Sequence, residues 1–260
     1  MKVLEWGSGS PDVVVLAAVH GDEPCGVYAM HRLDDLTLVK GRLRCVIVNE
    51  EAIKQGVRFV DEDLNRAMQS RRQTREGRLA AQLRRILDEA DALLDIHSTF
   101  APEAPVYTIC EDAGVAVARK MGSDAIVTGL DQFHSGSTDE YMHRQGKVGI
   151  CIECGPSGSA GAVEAAYTAI FSFLSAYGMV EKQDVAEQVP VLVASRLYRN
   201  VEWFRLVRDV ADLEYFAEKT IIGYDGAVAV YAEAGEYILF AQEREDAGEE
   251  CFVVCCQKTI

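Results

Sequence analysis

The apolar positions of the first 180 residues alternate between two textures. Short apolar runs at 12–19 (DVVVLAAV), 43–49 (LRCVIVN), 91–97 (DALLDIH), 105–110 (PVYTIC), 124–127 (DAIV) and 147–153 (KVGICIE) each predict a buried strand. Helical patterns occupy 23–34, 74–90, 111–122 and 159–177. In the last of these, AVEAAYTAIFSFLSAY repeats its apolar residues at helical spacing. This alternation predicts an α/β fold with a mostly parallel or mixed central sheet flanked by helices. The polar segment EKQDVAEQ, 181–188, has no apolar pattern and reads as a linker. Beyond it VEWFRLV, TIIGY, GAVAVYAE, GEYILFAQ and CFVVCC are short runs between acidic and glycine-containing turns, and Tyr224-Asp225-Gly226 is a hairpin signal. The expected division is a larger α/β domain over 1–182 and a smaller β-rich domain over 183–260.

Composition narrows the function classes. Of 260 residues 49% are apolar, enough for a sizeable core. No apolar stretch reaches the roughly 18–20 residues of a membrane helix. The opening MKVLEWGSGSPD lacks a signal-peptide core, so a cytoplasmic location is expected and no membrane partner. A net charge of −15, from 41 acids and 26 bases, argues against nucleic acid as a partner and describes a soluble, self-repelling surface. One stretch runs the other way: residues 65–85 hold seven arginines against one acid. It reads as a nucleic-acid contact, as a positive field at a pocket mouth or, most plainly, as a solvated helix face. Several of the eight cysteines lie inside apolar runs, as buried reduced thiols do. The C-x-x-C of Cys151 and Cys154 has no second pair at zinc-finger spacing and sits in a strand pattern, which disfavours a redox or structural-zinc role.

Three predicted strands end in groups that do chemistry: the first in His20, the third in His97, the last in Glu153. Open α/β sheets gather ligands at the carboxyl ends of their strands. Singly, each residue has a plain explanation: a loop histidine, a structural histidine, a carboxylate paired to arginine. Their coincidence at strand ends points to a metal. A tight turn through Gly21 and Asp22 can bring His20 and Glu23 to one point, and His97 supplies a third ligand. Two His and one Glu form a catalytic zinc set with a fourth position open to water. Glu153 is then left as general base and, later, general acid. The segment GVRFVDEDLNRAM, 56–68, shows neither period. Near zinc, Asn65 and Arg66 suit a substrate carboxylate and Arg58 the oxyanion; otherwise it is a loop of surface ion pairs. The loop GPSGSAG, 155–161, matches neither phosphate-binding glycine pattern and reads as a tight turn before a helix. No G-x-S-x-G occurs, which disfavours a serine hydrolase. His134, Ser135 and Ser137 lie in a Gly-Ser loop that suits a lid, and His31 and His143 have no motif around them.

H-G-D-E after a strand, D-L-N-R with an arginine seven residues before its asparagine, D-I-H-S-T, and E-C-G resemble, in this order, the succinylglutamate desuccinylase/aspartoacylase family. The resemblance covers residues 12–156 and implies a zinc-carboxypeptidase-like fold. It implies one Zn2+ per chain on His20, Glu23 and His97, with Glu153 activating water. Arg58 would polarise the scissile carbonyl, and Asn65 and Arg66 would bind the amino-acid carboxylate. Tyr141 and Arg144 are the candidates for the arginine and tyrosine that the family places before its catalytic glutamate, although their spacing departs from the pattern. The activity expected is deacylation of a small anionic N-acyl amino acid or related amide. The alternatives are a metallocarboxypeptidase acting on small peptides, an esterase or deacylase of other small molecules, and a non-catalytic metal-binding module.

Overall fold

The computed structural model describes residues 1–101, 103–182 and 188–258. The expected linker at 181–188 falls largely outside this set. The strands are β1 (Lys2–Ser8), β2 (Asp12–Ala17), β3 (Gly41–Ile47), β4 (Ala92–Thr99), β5 (Tyr107–Cys110), β6 (Ala125–Thr128), β7 (Val148–Pro156), β8 (Val191–Arg199), β9 (Phe204–Leu206), β10 (Glu214–Phe216), β11 (Thr220–Asp225), β12 (Val228–Ala232), β13 (Glu236–Leu239) and β14 (Glu250–Gln257). The helices are α1 (Cys25–Met30), α2 (Glu50–Gln55), α3 (Arg75–Glu89), α4 (Val115–Ala118), α5 (Thr138–His143) and α6 (Ala160–Ala176). No helix among the described residues is long and apolar enough to cross a membrane.

Eleven strands form one mixed sheet in the order β1-β3-β2-β4-β7-β5-β6-β8-β14-β13-β10. β3, β2, β4 and β7 run parallel, so their carboxyl ends share one edge. Beside them β5 is antiparallel to β7. β6 and β8 follow β5 in parallel, and β14, β13 and β10 complete the sheet antiparallel. The remaining tail strands form a three-stranded antiparallel sheet, β12-β11-β9, whose Asp225↔Val228 closure is the hairpin expected at Tyr224-Asp225-Gly226. Both sheets match the expected fold class.

Helices cover both faces of the parallel strands, which is why those strands read as unbroken apolar runs. On one face α1 and α6 bury Cys25, Ala29, Ala166, Ile170 and Phe173 against Val15, Ile96 and Ile152. On the other, Ala80, Leu83 and Leu87 of α3 pack on Val14, Leu16 and Leu93. The helix expected over 23–34 is shorter, because Glu23 is drawn into a buried turn and Pro24, with no N–H to lose, precedes the first helical residue. The pattern at 111–122 breaks into a 3-10 turn, Asp112–Gly114, and α4. The arginines of the 65–85 stretch lie on loop and helix surfaces, with Arg72 paired to Glu62 and Arg75 to Glu51.

α5 was not expected, because FHSGSTDEYMHRQGK is too short and polar to show a period. The Ser137 hydroxyl caps it by accepting the Glu140 N–H. Gly149 of β7 lets it lie directly on the sheet: a Cβ there would stand 2.6 Å from the Asp139 carbonyl oxygen. His143 locks the contact, with Nδ1 2.8 Å from Asp131 Oδ2 and Nε2 2.8 Å from the Gly149 carbonyl. Burial opposes the imidazolium, but Asp131, Asp139 and that carbonyl prevail and push His143 up to about 9. A raised folded value stabilises fully below the unfolded value, near 6.5, and the gain is lost as pH rises through about 9. We expect the wild type to lose up to about 3 kcal/mol between pH 6 and pH 10 that the His143→Gln variant does not lose. Urea unfolding across that range checks this; parallel pH profiles would contradict it.

Candidate metal centre

The first ligand segment is shaped by the end of β2. Ala18 adopts a left-handed φ of 53°, and the Asn49 N–H donates to its carbonyl oxygen, so the chain turns sharply before His20. Gly21 then passes against α2, where a Cβ would stand 2.3 Å from the Ala52 carbonyl carbon. This close approach is what the glycine of H-G-D-E permits. It leaves His20 and Glu23 facing each other inside the protein, 3% and 2% exposed.

Glu23 is a fork between two imidazoles. His20 Nδ1 lies 2.8 Å from Oε1, and His97 Nδ1, from β4, lies 2.9 Å from Oε2. Oε2 also accepts the Ser98 backbone N–H at 3.1 Å, and Oε1 a hydrogen bond from Arg58 Nη1 at 3.0 Å. Burial alone would raise the Glu23 carboxyl; the charge and hydrogen bonds of the two histidines prevail and hold it well below the usual range. The three ligand atoms lie within 4.8 Å of one another. The residues fit a divalent cation: two ring nitrogens and a carboxylate oxygen converge, with each imidazole held from behind. His20 Nε2 is 3.1 Å from Asp63 Oδ1 and His97 Nε2 is 3.1 Å from Asp95 Oδ2. A carboxylate on the far nitrogen fixes the tautomer that presents Nδ1 and raises its basicity.

Glu153 registers directly with His97 across β4 and β7 and with Tyr107 across β7 and β5. Its Oε2 is buried with no hydrogen-bond partner. Burial, aided by Glu23 and Asp212 and opposed by His97, pushes its carboxyl up to about 8. A cation among the three ligands would draw that value down again.

Arg58, Asp63 and Asn65 are placed by a residue of unremarkable appearance in the sequence. Glu76, fully buried at the start of α3, accepts the backbone N–H groups of Val60, Asp61 and Glu62 and the side-chain amide of Asn49. This pins the loop across the site. Arg58 Nε reaches Asp63 Oδ2 at 3.6 Å, while the Asn65 amide nitrogen lies 3.3 Å from His97 Nε2 and its oxygen accepts the Thr138 N–H. The Thr138 hydroxyl donates to Asp95. Arg66 spends one N–H on the Asn65 carbonyl, and among the described residues no carboxylate pairs with it.

These groups line a cavity of about 710 Å³ that takes in His20, Glu23, Arg58, Asn65, Arg66, His97, His134 and Glu153. The structure does not bring Tyr141 and Arg144 there. The Tyr141 hydroxyl donates to Asp88, and Arg144 pairs with Glu140, beside a separate shallow hollow. Asp139 lines the cavity from α5, whereas Tyr141 turns to Asp88 at the end of α3 and Arg144, just past the helix, folds back on Glu140. Asp63 and Asp95 lay inside the recognised motifs as D-L-N-R and D-I-H, yet nothing in their spacing alone marked them as histidine partners. Cys151 and Cys154 point to opposite faces of β7, Cys151 into the cavity wall and Cys154 into the core beside α1, and all eight cysteines are free.

Fold and site together define a class: α/β proteins with a buried His-Glu-His centre at the carboxyl ends of parallel strands. Residues 9–176 match the catalytic-domain model of succinylglutamate desuccinylase/aspartoacylase. The chain belongs to that family, whose members are hydrolytic deacylases. Solved structures share its fold. A succinylglutamate desuccinylase/aspartoacylase from Rhodobacter sphaeroides superposes with a TM-score of 0.79 at 20% identity, over 98% of this chain and 89% of that one. The product-bound ectoine utilization protein EutE (DoeB) from Ruegeria pomeroyi gives 0.78 at 21% identity, over 98% and 87%. The succinylglutamate desuccinylase from Vibrio parahaemolyticus gives 0.81 at 16% identity, over 99% and 86%. No curated protein matches the chain.

If Asp63 and Asp95 hold the imidazoles for a cation, Asp63→Asn and Asp95→Asn should each weaken Zn2+ binding by about 10–100-fold. Competition against a chromogenic chelator measures this. Wild-type affinity in both variants would contradict it.

Proposed function

We propose that the chain is a zinc-dependent amidohydrolase that removes the acyl group from a small N-acyl amino acid. The observation that carries the reading is the convergence of both Nδ1 atoms on Glu23, each imidazole backed by an aspartate, with an unpartnered Glu153 oxygen alongside. When bound, the metal supplies a Lewis acid for the carbonyl oxygen and eases deprotonation of the attacking water. His20, Glu23 and His97 hold it. Glu153 takes the proton as water adds to the amide carbon, then delivers it to the nitrogen as the C–N bond breaks, leaving a carboxylic acid and a free amine. A carboxyl poised near neutrality suits both transfers. Arg58, already at the ligand cluster, places a guanidinium where charge builds on the carbonyl oxygen. Arg66 offers the rest of its fork to the substrate carboxylate. Asn65, whose amide oxygen accepts the Thr138 N–H, acts by holding α5 beside His97.

The same residues would serve a carboxypeptidase, and the shape of the cavity favours the smaller substrate. Asp212, Phe240, Gln242, Arg244 and Phe252 from the tail line it together with the metal centre, and these walls leave less room for a peptide than for a small amide. Glu153→Gln should keep zinc at one per chain while lowering kcat on a panel of N-acyl amino acids by about 10²–10⁴-fold. Metal analysis with steady-state kinetics tests this. Full turnover in that variant, or no hydrolysis of any panel member by zinc-loaded wild type, would overturn the reading.

A further inference from the structure

Two of the seven arginines of 65–85 meet away from the metal centre with no acid to match either. The hollow beside Tyr141 and Arg144, of about 360 Å³, lies between α3, the loop ahead of it and the end of α5, and Arg71 and Arg84 line it with them. Its volume falls within the roughly 300–1,000 Å³ typical of small-molecule sites. Arg84 is half-buried and held in place by neutral groups: its Nη1 donates to the backbone carbonyls of Met68 at 2.9 Å and Ser70 at 3.4 Å. Asp88, one turn further along α3, accepts the Tyr141 hydroxyl and, among the described residues, no carboxylate pairs with Arg84. Arg71 makes no hydrogen bond or ion pair among the described residues. Arg144 spends Nε and Nη2 on Glu140, which leaves its Nη1 unused and its side chain 59% exposed.

Charge counting defines the missing partner. Glu140 is buried and fully used: Oε1 takes Arg144, and Oε2 takes the Gln69 amide and the Gly136 N–H. Arg144 is therefore matched, and Arg71 and Arg84 leave two positive charges unanswered in a chain whose net charge is −15. A phosphate group carries about two negative charges near neutral pH and three acceptor oxygens, which suit guanidinium forks. A lone carboxylate would cancel only one of the two charges. Tyr141, its hydroxyl spent on Asp88, offers its ring to the rest of a small molecule. A long polyanion fits less well, because the basic track does not continue: Arg72 is paired to Glu62, Arg75 to Glu51, and Arg78 turns to the Gln73 carbonyl.

We propose that this hollow is a second ligand site, which holds the phosphate group of a small monoester or free phosphate between Arg71 and Arg84, with Arg144 at its rim. It involves neither the metal nor turnover, so it stands or falls apart from the amidohydrolase reading. Calorimetry on the zinc-loaded full chain, at physiological ionic strength to screen loose surface attraction, measures binding of inorganic phosphate, phenyl phosphate, phenol and a single-stranded oligothymidylate. Wild type is compared with Arg71→Gln, Arg84→Gln and Arg66→Gln, the last reporting any phosphate bound at the metal centre. The expected result is a binding event for phosphate or phenyl phosphate, absent for phenol, that Arg71→Gln and Arg84→Gln each weaken by about tenfold and Arg66→Gln leaves in place. Tighter binding of phenyl phosphate assigns the site to a monoester, and tighter binding of inorganic phosphate assigns it to the free ion; both uphold it. No binding of either, affinity unchanged in Arg71→Gln, loss of all binding in Arg66→Gln, or tighter binding of the oligothymidylate would overturn the proposal. Arg71 holds nothing in the fold, so its variant keeps the test decisive even if Arg84→Gln does not fold.

Discussion

A carboxylate buried between two imidazoles is the constraint on which the rest of the structure depends. Leaving Glu23 ionised away from water is costly unless it is fully partnered. The fold partners it from four directions: His20 on its own turn, His97 from β4, the Ser98 backbone and Arg58 from the pinned loop. Each contact requires something further out. The turn needs Gly21 against Ala52, the histidines need Asp63 and Asp95, and the loop needs Glu76. The same three ligand atoms lie within 4.8 Å of one another, close enough for His20, Glu23 and His97 to hold a cation together.

The tail matters to the site as part of its wall. Asp212 accepts the Phe240 N–H with one oxygen and the Tyr107 hydroxyl with the other, and Tyr107 is the cross-strand neighbour of Glu153. Leu213 and Phe240, on either side of this joint, hold left-handed φ values of 59° and 58°, conformations that cost energy for residues with side chains and that cluster at functional sites. The tail is therefore bonded to the floor of the cavity rather than laid over it. Four of its strands, β8, β14, β13 and β10, also extend the large sheet, so the strands that wall the cavity are part of the sheet that carries the metal centre.

What the sequence disclosed followed from physical rules that act locally. Buried parallel strands are apolar throughout, so the sequence shows all six runs of the first part, and the sheet rule that ligands collect at carboxyl ends groups His20, His97 and Glu153. What it hid depends on contacts between distant segments. Glu76 appears as one acid among arginines, and only folding brings three backbone N–H groups to it. α5 is too short to show a period, so nothing in the sequence marks Asp139 and Thr138, while Tyr141 and Arg144, nearby in sequence, are held by Asp88 and Glu140. β1 was missed because its edge position leaves it half polar.

The most direct test of the central claim is a crystal structure of the full chain grown with Zn2+, with anomalous scattering recorded at the zinc edge. The account predicts one ion, ligated by Nδ1 of His20, Nδ1 of His97 and the Glu23 carboxylate, with Asp63 and Asp95 still on the far nitrogens. An ion bound through Nε2, an ion seated at Asp63 or Asp95 instead, or an anomalous map with no peak among the three residues would contradict it.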